Sequence, residues 1–520
     1  MYKTGMETEK LKKLFLIIAF LLLVIPPAVF ASDLIPPHHW TYHSLEILFE
    51  KDLIKEKIVP GESTNTKDQA GKMIIEAMEK IRTDPSIMDD DVLCSMRQLI
   101  NGYRNELKAA GQDHNMIRKE LEDMALAANL SAMELPAASG SKERPLNFQA
   151  VRSINKFTFD IYRYFAAKNS NGLFISPYSI SSALSMTYAG AEGKTASEME
   201  SVLHLDPEIH RSMAALINDI NSVPGETASV KTANALWPAK DEHLLDSFTG
   251  KVNRFYESSL TPLDYRDNTE EARKTINKWV DKETEEKIKN LIGEGVLKKD
   301  TSLILTNAIY FKSDWMIKFD PQNSRAMPFY TNPAKSVPTV MMTKTDKNLR
   351  YSNESDLEIA EIPYRNKRFS MLILLPHKGV ELEKIEKKLD HLKFTEWTSF
   401  MSQKKVKLTM PKFKTEQGFE LSEALKEMGM TSAFNAKGAD FSGMNGKKNL
   451  YIGAAVHKTF LEVGEDGTEA AAATAVIMTK TSAMHDPEKT IEFKADRPFI
   501  YVIRDNQTGA ILFIGRYTKP

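Results

Sequence analysis

Cysteine is all but missing from this chain. Cys94 stands alone among 520 residues, so no internal disulfide can form and stability must come from packing. For Cys94 itself a buried inert thiol and an intermolecular disulfide both stay open. Charge of one sign is lacking too: 69 Lys and Arg balance 70 Asp and Glu, for a net charge of −1. Basic runs are short, such as Lys404, Lys405 and Lys407, which argues against nucleic acid as a partner. The apolar run from Leu14 to Ile25 stops at twelve residues, well short of the roughly 20 that a membrane-spanning helix needs.

The usual footholds of enzymes are also absent. There is no Gly-x-Ser-x-Gly elbow for a nucleophile and no His-Glu-x-x-His helix for a metal. Gly190-Ala-Glu-Gly193-Lys194-Thr195 superficially matches a phosphate loop, but Tyr188 occupies the position of the required first glycine and a helical pattern precedes the segment. The histidines, His457 among them, read as structural. No enzyme activity, metal or cofactor is expected.

What is present is ordinary globular composition, 42% hydrophobic and 27% charged. Lys10, Lys12 and Lys13, the apolar run after them and the small-residue site at Val29-Phe30-Ala31 have the anatomy of a secretory signal peptide over residues 1–31. Glu7 and Glu9 dilute its positive region, and an uncleaved anchor is the alternative. A stretch rich in Pro, Gly and Ser, residues 134–146, reads as an interdomain linker, leaving a first module before it and a large domain at 147–520.

In the first module, Pro36-Pro37-His38-His39-Trp40-Thr41-Tyr42 precedes Leu45 and Leu48 at helical spacing, and Thr66-Lys67-Asp68 opens a second helix-like run to Ile81. Residues 33–82 are similar to a single S-layer homology module, a small all-α unit, which implies a cell-wall polymer as a partner. A helical hairpin with no ligand is the plainer reading. From 83 to 133, Leu93, Met96, Leu99, Ile100, Tyr103, Leu107, Ile117, Leu121 and Met124 recur at helical spacing and predict a stalk or short coiled coil, either a spacer or a means of pairing two chains.

The most informative segment is Glu465 to Thr481. Counted in twos from Thr468, one face carries Thr468, Ala470, Ala472, Thr474, Val476 and Met478, while Glu469 falls on the other. Four alanines favour a helix by propensity, but the β-branched residues after them favour a strand. Gly467 supplies a flexible pivot just ahead of the alternation. Glu465, Gly467, Thr468, Glu469, Ala470, Ala471, Ala472, Ala473 and Thr474 resemble the hinge of the serpins, protease inhibitors that insert a cut reactive loop into their own central sheet. Loop insertion of this kind is an established example of strand addition. Further matching stretches are Ala233–Trp237, Leu305–Trp315, Ala360–Tyr364, Met371–Pro376, Met410–Phe413, Ala439–Gly443 and the C-terminal Phe493–Arg504 and Ile511–Arg516.

The resemblance implies an α+β fold with three β-sheets, about nine helices and an exposed reactive-centre loop. It maps Ser176, Ser179, Asn307 and His457 onto the shutter, where the sheet must part, and Trp315 onto the breach, where the loop first inserts. Family spacing counted from Gly467 gives Thr481-Ser482 as the reactive bond, with Lys480-Thr481 as the alternative. The implied function is suicide inhibition of a serine or cysteine protease through a covalent complex. The alternative is a non-inhibitory serpin acting as an envelope-attached binding protein, although that reading expects bulky or charged residues on the inserting face near the hinge and none are there. Export to the cell surface or periplasm follows from the N-terminal segment.

Overall fold

The structure, a computed structural model, describes residues 41–57, 66–88, parts of 92–124, and 146–520 apart from 207–208, 224, 226–227, 257, 400 and 469–489. The expected signal segment, Trp40, Cys94, Glu469 to Thr474, Lys480, Thr481 and Ser482 lie outside the described residues. The chain divides into two compact units, Met1–Gly140 and Ser141–Pro520. Among the described residues no helix is long and apolar enough to cross a membrane.

The first unit contains helices α1 (Thr41–Glu50), α2 (Lys67–Thr83) and α3 (Arg104–Ala109). Thr66 starts α2 as its sequence suggests: its hydroxyl accepts the Gln69 N–H at 3.2 Å, satisfying a free donor of the first turn. The outcome for the predicted stalk is different. Met96, Leu99, Ile100, Tyr103, Leu107, Ile117 and Leu121 share one core with Leu45, Leu48, Leu53, Ile74, Met78 and Ile81, and Thr41 and Tyr103 join hydroxyls at 2.7 Å. Helical spacing shows only that one face is apolar, and here that face packs inward. A short module followed by a free coiled coil is therefore replaced by one small helical domain.

The second unit opens with a long amphipathic helix, α4 (Phe148–Lys168), and then a short strand, β1 (Leu173–Ile175), feeding α5 (Pro177–Tyr188). Ser176 caps α5 by accepting the Ser179 N–H, and Pro177 takes the first turn, where its missing N–H costs nothing. Buried on nearly every side, α5 runs through the centre of the unit. Ten α-helices are present among the described residues of this unit.

Two hydrogen-bonded strand networks surround that helix. Their remaining strands are β2 (Ser229–Pro238), β3 (Ser259–Leu260), β4 (Leu303–Asp314), β5 (Arg325–Asn332), β6 (Lys335–Asn353), β7 (Leu357–Pro363), β8 (Phe369–Pro376), β9 (Ser402–Pro411), β10 (Phe413–Glu420), β11 (Ile452–Val463), β12 (Gly467–Thr468), β13 (Ile491–Lys494), β14 (Phe499–Asp505) and β15 (Ile511–Tyr517). The first network runs β10-β11-β12-β4-β2-β3. The second runs β1-β15-β14-β8-β7-β6-β9-β13, with β5 also on β6. The 19-residue β6 belongs to two leaves, pairing β5 over Lys335–Met341, β9 over Met341–Tyr351 and β7 only from Arg350 onward. Three expected sheets thus become two networks, because one strand is long enough to serve twice. The wholly buried β8 explains its uninterrupted apolar run.

In the first network β4 and β11 pair directly and in parallel from Leu303 with Ile452 to Tyr310 with Phe460. Beyond that stretch β12 lies between them, antiparallel to both, with Gly467 opposite Asp314, Thr468 opposite Ser313 and Val463 opposite Thr468. The seam is closed along most of its length and wedged apart at one end.

Candidate functional site at a seam in the sheet

Midway along the seam a polar row crosses three strands. Register places Asn307 of β4 beside His457 of β11 and Asn234 of β2, and α5 brings Ser176 and Ser179 behind them. His457 is fully buried. Its Nε2 accepts the Ser176 backbone N–H at 3.1 Å, so Nδ1 carries the proton and donates to the Asn307 side-chain oxygen. The Asn307 amide in turn donates to Ser179 Oγ and to Asn234 Oδ1, and the Ser179 hydroxyl donates to Asn234 Oδ1 at 3.2 Å. Ser176 Oγ donates to the Leu512 carbonyl at 2.6 Å. Burial pushes the His457 pKa down to about 3, keeping the ring neutral as this tautomer requires.

At the wedged end the chain folds back on Trp315. The indole stacks on Tyr364, centroids 4.6 Å apart and planes 10° from parallel, and its Nε1 donates to the Gly464 carbonyl at 2.8 Å. Trp315 N–H donates to the Asp466 carbonyl at 2.8 Å and Phe319 N–H to the Glu465 carbonyl at 2.9 Å. Burial works against the Glu465 carboxylate, but Lys412 at 2.8 Å and the Ser324 hydroxyl at 2.7 Å hold its pKa below the ordinary value. Lys318 bridges Asp466 at 3.0 Å and Asp314 at 3.3 Å. Thr468 is fully buried, its hydroxyl 2.7 Å from that of Tyr364.

Gly467, the expected pivot, also meets a steric demand. A Cβ there would lie 2.2 Å from the Ser313 carbonyl oxygen and 2.6 Å from the Asp314 Cα. Glycine is needed here because the backbone of β12 presses against that of β4, a requirement separate from bending.

The structure brings Ser176, Ser179, Asn307 and His457 into one cluster, and Trp315, Glu465, Gly467 and Thr468 into another. Sequence reasoning missed Asn234, Tyr364, Lys412, Ser324 and Lys318 as site residues. Asn234, Tyr364 and Lys412 sit inside stretches that matched the family pattern. A lone Asn in the otherwise apolar Ala233–Trp237 was the available signal.

Comparison with known proteins gives a consistent result. The sequence model of a family described as "Serpin (serine protease inhibitor)" matches residues 152–520. The leukocyte elastase inhibitor of Xenopus laevis is 39% identical over 372 residues, 70% of this chain and 97% of that protein. Uncleaved ovalbumin superimposes with a TM-score of 0.64 at 29% identity, covering 72% of this chain and 100% of ovalbumin. Human thyroxine-binding globulin, solved in complex with thyroxine, gives a TM-score of 0.64 at 28% identity over 72% of this chain and 99% of its own.

Two measurements test the geometry. An unfolded histidine protonates near pH 6.5 whereas folded His457 resists down to about 3, so stability is full above pH 6.5 and is lost on acidification at up to about 1.4 kcal/mol per pH unit. Urea midpoints between pH 7 and 5 should fall more steeply in the wild type than in His457→Gln, and equal slopes would contradict a neutral buried ring. Thr468→Val strands the buried Tyr364 hydroxyl and should cost about 1–3 kcal/mol in thermal unfolding. Adding Tyr364→Phe should return most of that loss, and an additive double variant would mean the two hydroxyls are not coupled.

Proposed function

The chain belongs to the serpin family, and on that footing we propose that it is a suicide-substrate inhibitor of a serine protease. The observation that carries this reading is β12: Gly467 and Thr468 are already the first two residues of a strand between β4 and β11. The protease attacks the loop as substrate. Its serine oxygen bonds to the carbonyl carbon of Thr481, or of Lys480 in the alternative, and the amine of the next residue leaves with the proton. The freed upstream segment then continues β12 into the seam and carries the ester-linked protease away before water completes the reaction.

Register supports the side chains as well as the backbone. Thr468 opposite Ser313, continued in an antiparallel strand, sets Thr474 opposite Asn307 and Met478 opposite Leu303. Ala470, Ala472 and Thr474 share the face of buried Thr468, so small residues would cross a packed interior and a hydroxyl would arrive beside the polar row. A threonine after four alanines has a physical reason in that arrangement.

The protein is further proposed to be exported, with its first unit as an envelope anchor. That unit has its own core, which allows a separate role.

The central test is a panel of serine and cysteine proteases, resolved on denaturing gels with mass spectrometry of adducts. At least one should form a stable complex at Thr481 or Lys480, joined by an ester to a serine protease or a thioester to a cysteine protease. Ala472→Glu, which places a charge on the inserting face, should turn the inhibitor into a plain substrate; stable complexes from that variant would refute the insertion geometry. For the first unit, residues 33–133 should sediment with purified cell-wall polymer, and a supernatant-only result would leave it without an anchoring role.

A further inference from the structure

The connection that follows β4, Trp315 to Phe319, covers the hinge from one side. Three of its groups hold hinge residues: Trp315 N–H and Lys318 Nζ on Asp466, and Phe319 N–H on Glu465. Burial does little to fix this connection at its middle, because Met316 and Ile317 are 37% and 38% exposed.

Beneath it stands Lys344 of β6. Its ammonium donates to the Ile317 carbonyl at 2.6 Å, lies 4.6 Å from the Phe319 ring centroid and 5.8 Å from that of Trp315, and the residue is only 7% exposed. Burial pushes its pKa down to about 8, with Asp346 opposing. Desolvating a cation is costly, and a methionine would fill the same space without that cost. The carbonyl and the two ring faces are what this position gains from a charge.

We infer that Lys344 is a positioning residue whose bond to the Ile317 carbonyl holds the 315–319 connection against the hinge and so sets how fast the hinge is released for strand insertion. The claim about rate rests on the insertion reading above; the claim about position does not. An ordinary buried lysine would affect global stability alone. A staple loosens Trp315 and Phe319 locally, and arginine, which can keep both the hydrogen bond and the ring contacts, should replace it.

Full-length wild type, Lys344→Met, Lys344→Gln and Lys344→Arg are compared by two methods. Hydrogen exchange followed by mass spectrometry should show the Trp315–Phe319 amides opening about tenfold more often in Lys344→Met, less in Lys344→Gln, and within about twofold of wild type in Lys344→Arg. A synthetic peptide of sequence Thr468–Lys480 should anneal into Lys344→Met about fivefold faster, read by native gel shift. Unchanged exchange in both neutral variants overturns the proposal, as does faster exchange with an unchanged annealing rate. Equal loosening in Lys344→Arg overturns it too. If Lys344→Met does not fold, Lys344→Gln decides by the same criteria. If no variant takes up peptide and none forms protease complexes, the insertion reading fails, while exchange still decides whether Lys344 staples the connection.

Discussion

Everything notable in the second unit depends on one parallel pairing, that of β4 with β11. Parallel ladders are somewhat weaker per residue than antiparallel ones. Here the weaker kind joins two long strands in the middle of a sheet, from Leu303 with Ile452 to Tyr310 with Phe460. A strand placed between them runs antiparallel to both, as β12 already does. Each residue inserted exchanges one slanted pairing for two better aligned ones. On the proposed reading the fold would keep a more favourable arrangement of its own backbone in reserve; the bond between His457 and Asn307 ties the two strands together through side chains as well as main chain.

How much of this could be read beforehand divides by physical cause. The alternation from Thr468 was visible because small residues on one face and Glu469 on the other follow the period of a strand; of that pattern only Thr468 lies among the described residues, and it is fully buried. Asn307 and His457 came from the family resemblance alone, and pairing across β4 and β11 puts them side by side. Gly467 was noticed for only one property: a sequence shows that a side chain is missing, but not whether the gap serves bending or close approach, and here a Cβ would strike the Ser313 carbonyl. Lys344 gave no signal at all. Set in Thr343-Lys344-Thr345-Asp346-Lys347, it reads as one more solvated charge, and only the packing of Trp315 and Phe319 above it reveals burial.

The same limit governed the first unit. Periodicity identified the apolar faces of residues 92–121 correctly, yet a face says nothing about its partner. The partner is the core of the preceding helices, with the forked Arg82–Glu120 ion pair at 2.7 Å per contact joining the two halves at the surface. An exposed pair of this kind adds little to stability, so the shared core is what makes these residues one domain.

The anchoring of the loop at both ends also fixes its reach. One end is Thr468 in the seam; the other is Ile491, paired with Val406 in β9, a few residues before the Lys412 that grips Glu465. Extending β12 to the level of Leu303 takes the chain roughly 33 Å down the sheet at about 3.3 Å per residue. The twelve residues 479–490 would have to climb back over that length and still meet β13, with at most about 40–43 Å of fully extended chain. On the proposed reading the uncut loop would have only about 7–10 Å of fully extended chain beyond that length, so its length, quite apart from any interaction, would make shallow insertion easy and deep insertion taut, and cutting the peptide bond would remove the tether to β13.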